Sequence, residues 1–131
     1  MLLTAGLFIF AGCEKDNDPP NSSIQGLWTG YYTVEGEPAR GQQYFSLVVK
    51  PDGTLINDSK GDNIQHLNIG TWTLSGEAFT ATTTCVYGHP SNVGIQETHT
   101  ATFKNGKFSD GVWSNVAPRT GKGAFVLTKV E

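Results

Sequence analysis

Apolar and polar residues alternate along residues 24–131, and this alternation predicts strands joined by turns. The segment 43–50 places Phe45, Leu47 and Val49 on one face, as a half-buried strand requires. No apolar period of 3.6 residues is sustained after the N-terminal segment, and a later threonine run favours strand over helix because threonine is β-branched. The pattern therefore predicts an all-β domain.

Eight strands are predicted, and short turns separate most of them. Asn105-Gly106 is the strongest hairpin signal in the chain, because both residues tolerate the positive φ angles of a type I′ turn. Residues 57–63 are predicted to form a polar loop. Consecutive strands with short turns form an antiparallel meander, and closure removes its exposed edges, so we expect an eight-stranded up-and-down barrel. The predicted strands are residues 26–34, 43–50, 54–58, 66–74, 77–87, 96–104, 107–114 and 121–130.

Strand alternation also predicts which side chains fill the barrel. In the first strand, Trp28, Gly30, Tyr32 and Val34 share the face expected to point inward, whereas Tyr31 lies on the opposite face. We expect Trp28 at the closed end of the barrel and Tyr32 nearer its middle. The residues predicted to be buried are Phe45, Leu47, Val49, Phe79, Phe103 and Leu127.

The N-terminal segment carries a different signal. A short apolar run ends at Phe10-Ala11-Gly12-Cys13, and small residues after an apolar run are typical of a secretory signal peptide. The motif resembles the lipobox of bacterial lipoproteins. That resemblance implies that residues 1–12 are removed and that Cys13, as the new N-terminus, carries acyl chains such as palmitate. A buried apolar segment of the domain is the alternative, and the run is much shorter than the ~20 residues of a membrane-spanning helix.

A polar segment separates this motif from the predicted domain. Residues 13–23 contain charge, Asn, Ser and Pro19-Pro20 but no large apolar residue, which predicts a disordered tether before a barrel domain at 24–131. The acidic stretch at 14–18 resembles the export signal of surface-exposed lipoproteins in Bacteroides-type bacteria, and an ordinary solvated spacer is the alternative. The resemblances imply an outer-membrane location, with the membrane as a partner through the lipid anchor.

Composition and charge narrow the partners further. The chain has 131 residues, a net charge of −3 and 16% charged residues, which fits one domain with no basic patch for nucleic acid. We expect a monomer. If Cys13 carries lipid, Cys85 is left without a disulfide partner, and we interpret it as a core residue.

The domain also resembles a known barrel family. Residues 24–30, IQGLWTG, resemble the first strand of lipocalins and related calycin barrels, and segments 52–54, 70–74 and 123–129 fit the same pattern. The whole of 24–131 looks like the small lipocalin-like lipoproteins of Bacteroides-type bacteria. The resemblance implies the barrel fold more than a function, since one fold serves many functions.

The aromatic residues are the richest candidate site. Trp28, Tyr32, Trp72 and Trp113 are the predicted ligand-binding residues, either as the wall of an internal cavity or as a stacking platform for sugar rings. The competing interpretation is that they only pack the core, because aromatic side chains dominate core energetics.

No catalytic or metal-binding set is predicted. His66, His89 and His99 lack the spacing of metal ligands, and segment 57–63 lacks the terminal Glu of a calcium loop. No nucleophile elbow or phosphate loop is present, and Asp110 is interpreted as a bulge or turn residue. We therefore expect neither catalysis nor a cofactor.

Two functions remain open from the sequence. The first is a lipid-anchored envelope barrel that binds a small apolar or amphipathic molecule in its cavity. The second is an interaction module that binds glycan or protein on its surface, with no internal ligand. A cavity of ~300 Å³ or more favours the first.

Overall fold

A computed structural model describes residues 23–131, and its eight strands form one closed antiparallel barrel in which each strand pairs with its neighbours in the sequence. The first strand also pairs with the last, so no sheet edge is left open. The predicted up-and-down barrel is confirmed. The strands are β1 (Gly26–Tyr32), β2 (Gln43–Val49), β3 (Thr54–Gly61), β4 (Ile64–Ser75), β5 (Ala78–Tyr87), β6 (Gln96–Lys104), β7 (Lys107–Asn115) and β8 (Lys122–Lys129), and a short 3₁₀ helix, Pro38–Arg40, lies between β1 and β2.

The predicted polar loop at 57–63 is wrong, because β3 continues to Gly61 and the turn is only Asp62-Asn63. Both turn residues have positive φ, 52° and 65°, as a two-residue type I′ turn requires. Such a turn lets β3 and β4 pair without a gap, so that Asn57 lies opposite Asn68. The Asn57 side chain lies in the barrel interior, and its exposed fraction is 0%.

The two ends of the barrel differ in their connections. At one end the strands are joined by tight turns at residues 50–53, 76–77 and 105–106, and the predicted Asn105-Gly106 hairpin is confirmed by positive φ angles of 51° and 70°. At the other end, apart from the Asp62-Asn63 turn, longer loops connect the strands. We call these the closed end and the open end. The longer loops at the open end are residues 33–42, 88–95 and 116–121.

An aromatic cluster fills the closed half of the barrel. The Trp28 ring meets Phe108 and Phe103 edge-on at centroid distances of 4.6 and 6.0 Å, and Phe79 lies 5.0 Å from Phe108. The indole N–H of Trp28 donates a hydrogen bond to the Ile24 carbonyl at 2.8 Å, so the first described residues cover this end. All six residues that the sequence predicts to be buried are buried: Phe45, Leu47, Val49, Phe79, Phe103 and Leu127.

Glycines allow the strands to approach closely where the barrel coils. A Cβ at Gly30 would lie 1.9 Å from the Val126 carbonyl oxygen of β8, and one at Gly70 would lie 1.9 Å from the Thr82 carbonyl oxygen of β5. Gly30 is therefore required by the neighbouring backbone.

Two irregularities bend the sheet. In β7, Asp110 has φ 53° and lies where the pairing with β6 shifts register, so its interpretation as a bulge residue is confirmed. In β5, a second shift opposite Leu67/Asn68 adds one residue to the strand.

Several sequence predictions lie outside the described residues. These are the signal peptide at 1–12, the acylated Cys13 and most of the tether at 13–23. Within residues 23–131, no helix has the length and apolar character needed to cross a bilayer.

Candidate functional site

A cavity of about 380 Å³ lies inside the open half of the barrel. Each strand from β1 to β7 contributes at least one residue to its lining, and the rim is formed by the loops of the open end. Its inner lining consists of Tyr32, Phe45, Ser59, Gly61, His66, Asn68, Cys85, Glu97, Trp113 and Asn115.

One wall of the cavity is aromatic. The Tyr32 ring lies 5.7 Å from Trp113 and 5.9 Å from Phe45, both edge-on. The indole N–H of Trp113 donates to the Thr33 carbonyl at 2.9 Å, which fixes the ring against the end of β1. This wall offers a rigid apolar surface for the hydrocarbon part of a ligand.

The floor of the cavity is polar, and hydrogen bonds join its residues. Asn57 and Asn68 lie opposite each other on β3 and β4, and Asn68 Nδ2 donates to Asn57 Oδ1 at 2.9 Å. The same nitrogen donates to Glu97 Oε2 at 3.1 Å, and Asn57 Nδ2 donates to the Ser46 carbonyl at 3.0 Å. The chain of amides fixes the position of the Glu97 carboxyl group on β6.

His99 lies one inward position along β6 from Glu97 and has an exposed fraction of 0%. Its Nε2 is 3.1 Å from the Thr83 hydroxyl oxygen and 3.6 Å from Glu97 Oε2. Among the described residues, His99 Nδ1 and Asn68 Oδ1 are buried polar atoms with no hydrogen-bond partner. Unpartnered buried atoms cost free energy, so this floor is not built for maximum stability.

Burial perturbs both ionisable groups of the floor. Removal from water raises the pKa of Glu97 from its ordinary value of 4.5 to about 7, because desolvation penalises the carboxylate. Removal from water lowers the pKa of His99 from 6.5 to about 4, because desolvation penalises the imidazolium. Near neutral pH, His99 is therefore uncharged, and Glu97 is close to the midpoint of its titration.

The rim holds charged groups that neutralise each other. Arg40, at the end of the 3₁₀ helix, pairs with Asp62 and, at 3.0 Å, with Glu37. On the opposite loops, Asn92 Nδ2 lies 2.9 Å from His66 Nε2, and the Arg119 guanidinium donates to the Ser91 carbonyl. These contacts tie loop 33–42 to the β3–β4 turn, and loop 88–95 to β4 and to loop 116–121.

The four predicted ligand-binding residues separate into two pairs. Tyr32 and Trp113 line the cavity, whereas Trp28 and Trp72 lie toward the closed end and do not. The Trp72 indole N–H donates to the Lys50 carbonyl at 2.9 Å, which ties β4 to the turn after β2. The structure therefore separates a cavity pair from a packing pair within the predicted set.

The polar floor was missed by the sequence predictions. Asn57 was assigned to a loop, and Asn68 and Glu97 were not singled out. A signal was present in β6, where Glu97 and His99 occupy the same inward alternation as Ala101 and Phe103. A carboxylate on the same strand face as a core phenylalanine indicates either that the carboxylate belongs to a buried site or that the inward face of the strand has been assigned wrongly.

The remaining candidate residues take structural positions. Cys85 is buried beside the cavity, where its thiol donates to the Tyr87 carbonyl at 3.3 Å and burial raises its pKa from 9.0. His89 pairs with Ser91 in the rim at 2.7 Å. Between residues 23 and 131, no three His, Cys, Asp or Glu side chains are grouped as metal ligands would be.

Comparison with protein-family models, with curated proteins and with solved structures yields no match to this chain.

Proposed function

We propose that this barrel binds a small amphipathic molecule in its open-end cavity and is held at the cell envelope by an N-terminal lipid anchor, as in the small lipocalin-like lipoproteins that the sequence resembles. The observation that carries the proposal is the cavity of about 380 Å³, with an aromatic wall and a polar floor. Ligand pockets of small-molecule binders start near ~300 Å³ and combine apolar walls with a few oriented polar groups.

The size of the cavity limits the ligand. With ~30 Å³ for each water-sized group, the volume holds roughly a dozen non-hydrogen atoms. The depth of the floor favours a molecule that enters with its polar end first and leaves its apolar part against Tyr32 and Trp113.

A fluorescent apolar probe tests the cavity. 2-Naphthol, a fluorescent molecule small enough for this volume, is expected to bind at one saturable site and to quench tryptophan emission, because Trp113 lines the cavity. Tyr32→Ala is expected to weaken binding without unfolding the domain. The matched control is Trp28→Ala, which removes a closed-half ring and is expected to lower stability first. Non-saturable probe binding by the folded wild type would contradict a ligand-binding cavity.

The anchor is tested separately. Cys13→Ser is expected to move the protein from the membrane fraction to the soluble fraction, because each buried CH₂ of an acyl chain contributes ~0.8 kcal/mol to retention. Cys85→Ser, which changes a cysteine within the barrel, is the control and is expected to leave the fractionation unchanged. Membrane retention of the Cys13→Ser protein would argue against acylation.

One observation favours the alternative of a surface-interaction module. Leu27, Val48, Ile56 and Ile69 are cross-strand neighbours on the outer face of β1 to β4, and Leu27 and Ile69 are 41% and 50% exposed. An apolar row of this kind suits contact with a glycan or a protein. Ile69→Lys is expected to abolish such contact while leaving probe binding intact.

A further inference from the structure

The polar floor contains a carboxyl group without a cationic partner. Glu97 has 23% of its side chain exposed and reaches the cavity, and the one ion-pair partner that the described chain gives it is His99. His99 does not supply the charge, because burial keeps its imidazole neutral above about pH 4. The amide of Asn68 is therefore the only described donor of a normal hydrogen bond to the carboxylate.

The rest of the cavity does not supply the missing cation. Its lining holds three carboxyl groups, Glu37, Asp62 and Glu97, and two guanidinium groups, Arg40 and Arg119, for a net charge of −1 when Glu97 is ionised and histidine is neutral. Arg40 is engaged at the rim by both of the other carboxylates. The unbalanced negative charge is thus the one at the floor.

A second observation concerns the amide that holds Glu97. Asn68 is 2% exposed, and its Oδ1 has no hydrogen-bond partner although the other end of the amide donates to Glu97. A buried acceptor without a donor costs free energy, so the floor has fewer hydrogen-bond donors than its acceptors require. The aromatic wall of Tyr32 and Trp113 adds ring faces, which attract cations.

We infer that the ligand is an amphipathic amine whose ammonium group pairs with the Glu97 carboxylate at the cavity floor and whose apolar part lies along Tyr32 and Trp113. This inference rests on the proposed function and names the chemical class that the cavity takes. Binding of the amine is then coupled to loss of a proton from Glu97, because the ammonium group pairs with the ionised carboxylate.

The coupling has a defined direction. The Glu97 carboxyl has a pKa of about 7, so at pH 6 most molecules must lose a proton from it before the amine pairs, and at pH 8 most need not. Burial raises the pKa values of Tyr32 and Cys85 above their ordinary 10.0 and 9.0, and both groups stay neutral over this range. His99 is neutral throughout as well. Of the floor residues, Glu97 is the one that changes charge between pH 6 and pH 8, whereas burial lowers the pKa of His66, on the cavity wall, from its ordinary 6.5.

Calorimetry with matched eight-carbon probes tests the inference. At pH 8 octylamine is expected to bind roughly 10- to 100-fold more tightly than 1-octanol, the range for hydrogen bonds to charged groups. Octylamine affinity is expected to fall roughly 10-fold from pH 8 to pH 6, whereas octanol affinity is expected to change much less. Paired buffers of different ionisation enthalpy are expected to show release of roughly half a proton per bound amine at pH 7.

Variants separate Glu97 from the other titrating groups. Glu97→Gln keeps an acceptor for Asn68 and is expected to remove both the preference for octylamine over octanol and the pH dependence of that preference. Glu77→Gln, at the closed end, changes an exposed carboxylate paired with Lys104 and is expected to change neither. The double variant of the other two cavity histidines, His66→Gln on the wall with His89→Gln in the rim, is expected to retain the wild-type pH dependence.

The outcomes distinguish the inference from the proposed function. If octanol binds and octylamine binds no more tightly, or if the amine preference survives in Glu97→Gln, the inference is overturned and the cavity still binds a ligand. If octanoate binds best and gains affinity as the pH falls, the floor takes neutral acids, which also overturns it. If no probe binds at a saturable site, the proposed function fails and the inference with it.

Discussion

The two halves of the barrel interior are built from the same strands, but the closed half is packed for stability and the open half is not. In the closed half, Trp28, Phe79 and Phe108 pack edge-on, and among residues 23–131 no buried side-chain nitrogen or oxygen there lacks a hydrogen-bond partner. In the open half, the described chain buries two unpartnered polar atoms, a carboxyl with a raised pKa and a histidine with a lowered one. Because such groups reduce stability, the open half shows where the fold gives up stability, as functional sites commonly do.

The largest expected effect on stability comes from removing an aromatic ring from the closed half. Phe79→Ala is expected to lower the free energy of unfolding by ~3–5 kcal/mol, because it removes a buried ring and leaves a cavity among Phe108 and Trp72. Urea unfolding at constant pH measures the loss. Tyr32→Ala, at the edge of an existing cavity, is the control and is expected to cost less. A loss below ~1 kcal/mol for Phe79→Ala would mean that the aromatic cluster does not dominate stability.

The second prediction concerns Glu97 in the open half, where a substitution is expected to raise the free energy of unfolding. Between its unfolded value of 4.5 and about 7, the folded Glu97 carboxyl holds a proton that the unfolded chain has lost, so its contribution to stability falls as pH rises. At about 1.4 kcal/mol per pKa unit the full loss is about 3 kcal/mol. Glu97→Gln is therefore expected to match the wild type near pH 4 and to be more stable by up to ~3 kcal/mol at pH 8. A constant difference across this range would contradict the raised pKa.

The contribution of His99 to stability is expected to depend on pH in the opposite direction to that of Glu97. Between pH 6.5 and about 4 the unfolded chain binds a proton at this residue that the folded chain does not, so stability falls as pH falls. His99→Gln removes that dependence, and its stability relative to the wild type is expected to rise by roughly 2–3 kcal/mol from pH 7 to pH 4, above any constant cost of repacking. Comparison with the wild type cancels Asp52 and Asp62, whose lowered pKa values act in both proteins. A pH-independent difference would show that the pKa of His99 is not lowered in the folded barrel.

The smallest expected effect concerns the first-strand tryptophan. Lys129 Nζ lies 5.7 Å from the centroid of the Trp28 ring and donates to the Ser23 carbonyl at 2.6 Å. Lys129→Ala is expected to cost ~0.5–1 kcal/mol, the range for cation–π contacts near the surface. Lys122→Ala, which removes an exposed ion pair with Glu35, is the control and is expected to cost little. Equal losses of stability in the two variants would show that the contact of Lys129 with Trp28 does not stabilise the barrel.

The sequence predicted the closed half better than the open half, and the reason is physical. Phe79 and Phe103 follow strict alternation, and burial of large apolar groups is nearly independent of the partner they meet. A polar residue at an inward position is different, because its cost depends on whether another strand supplies a hydrogen bond. Asn57 was predicted at the overlap of a strand, 54–58, and a loop, 57–63, because its partner Asn68 stands eleven positions later and the Asp62-Asn63 turn brings the two together.

The sequence by itself determined the strand count, the antiparallel order, the burial of the aromatic core and the inward face of Trp28 and Tyr32. These features follow from local alternation and turn chemistry, which act over a few residues. Only the tertiary structure decided that Tyr32 and Trp113 face a cavity while Trp28 and Trp72 do not, because that depends on the distance of each ring from the open end. It also decided the raised pKa of Glu97, since desolvation is set by the strands that close around the carboxyl group and not by its neighbours in the sequence.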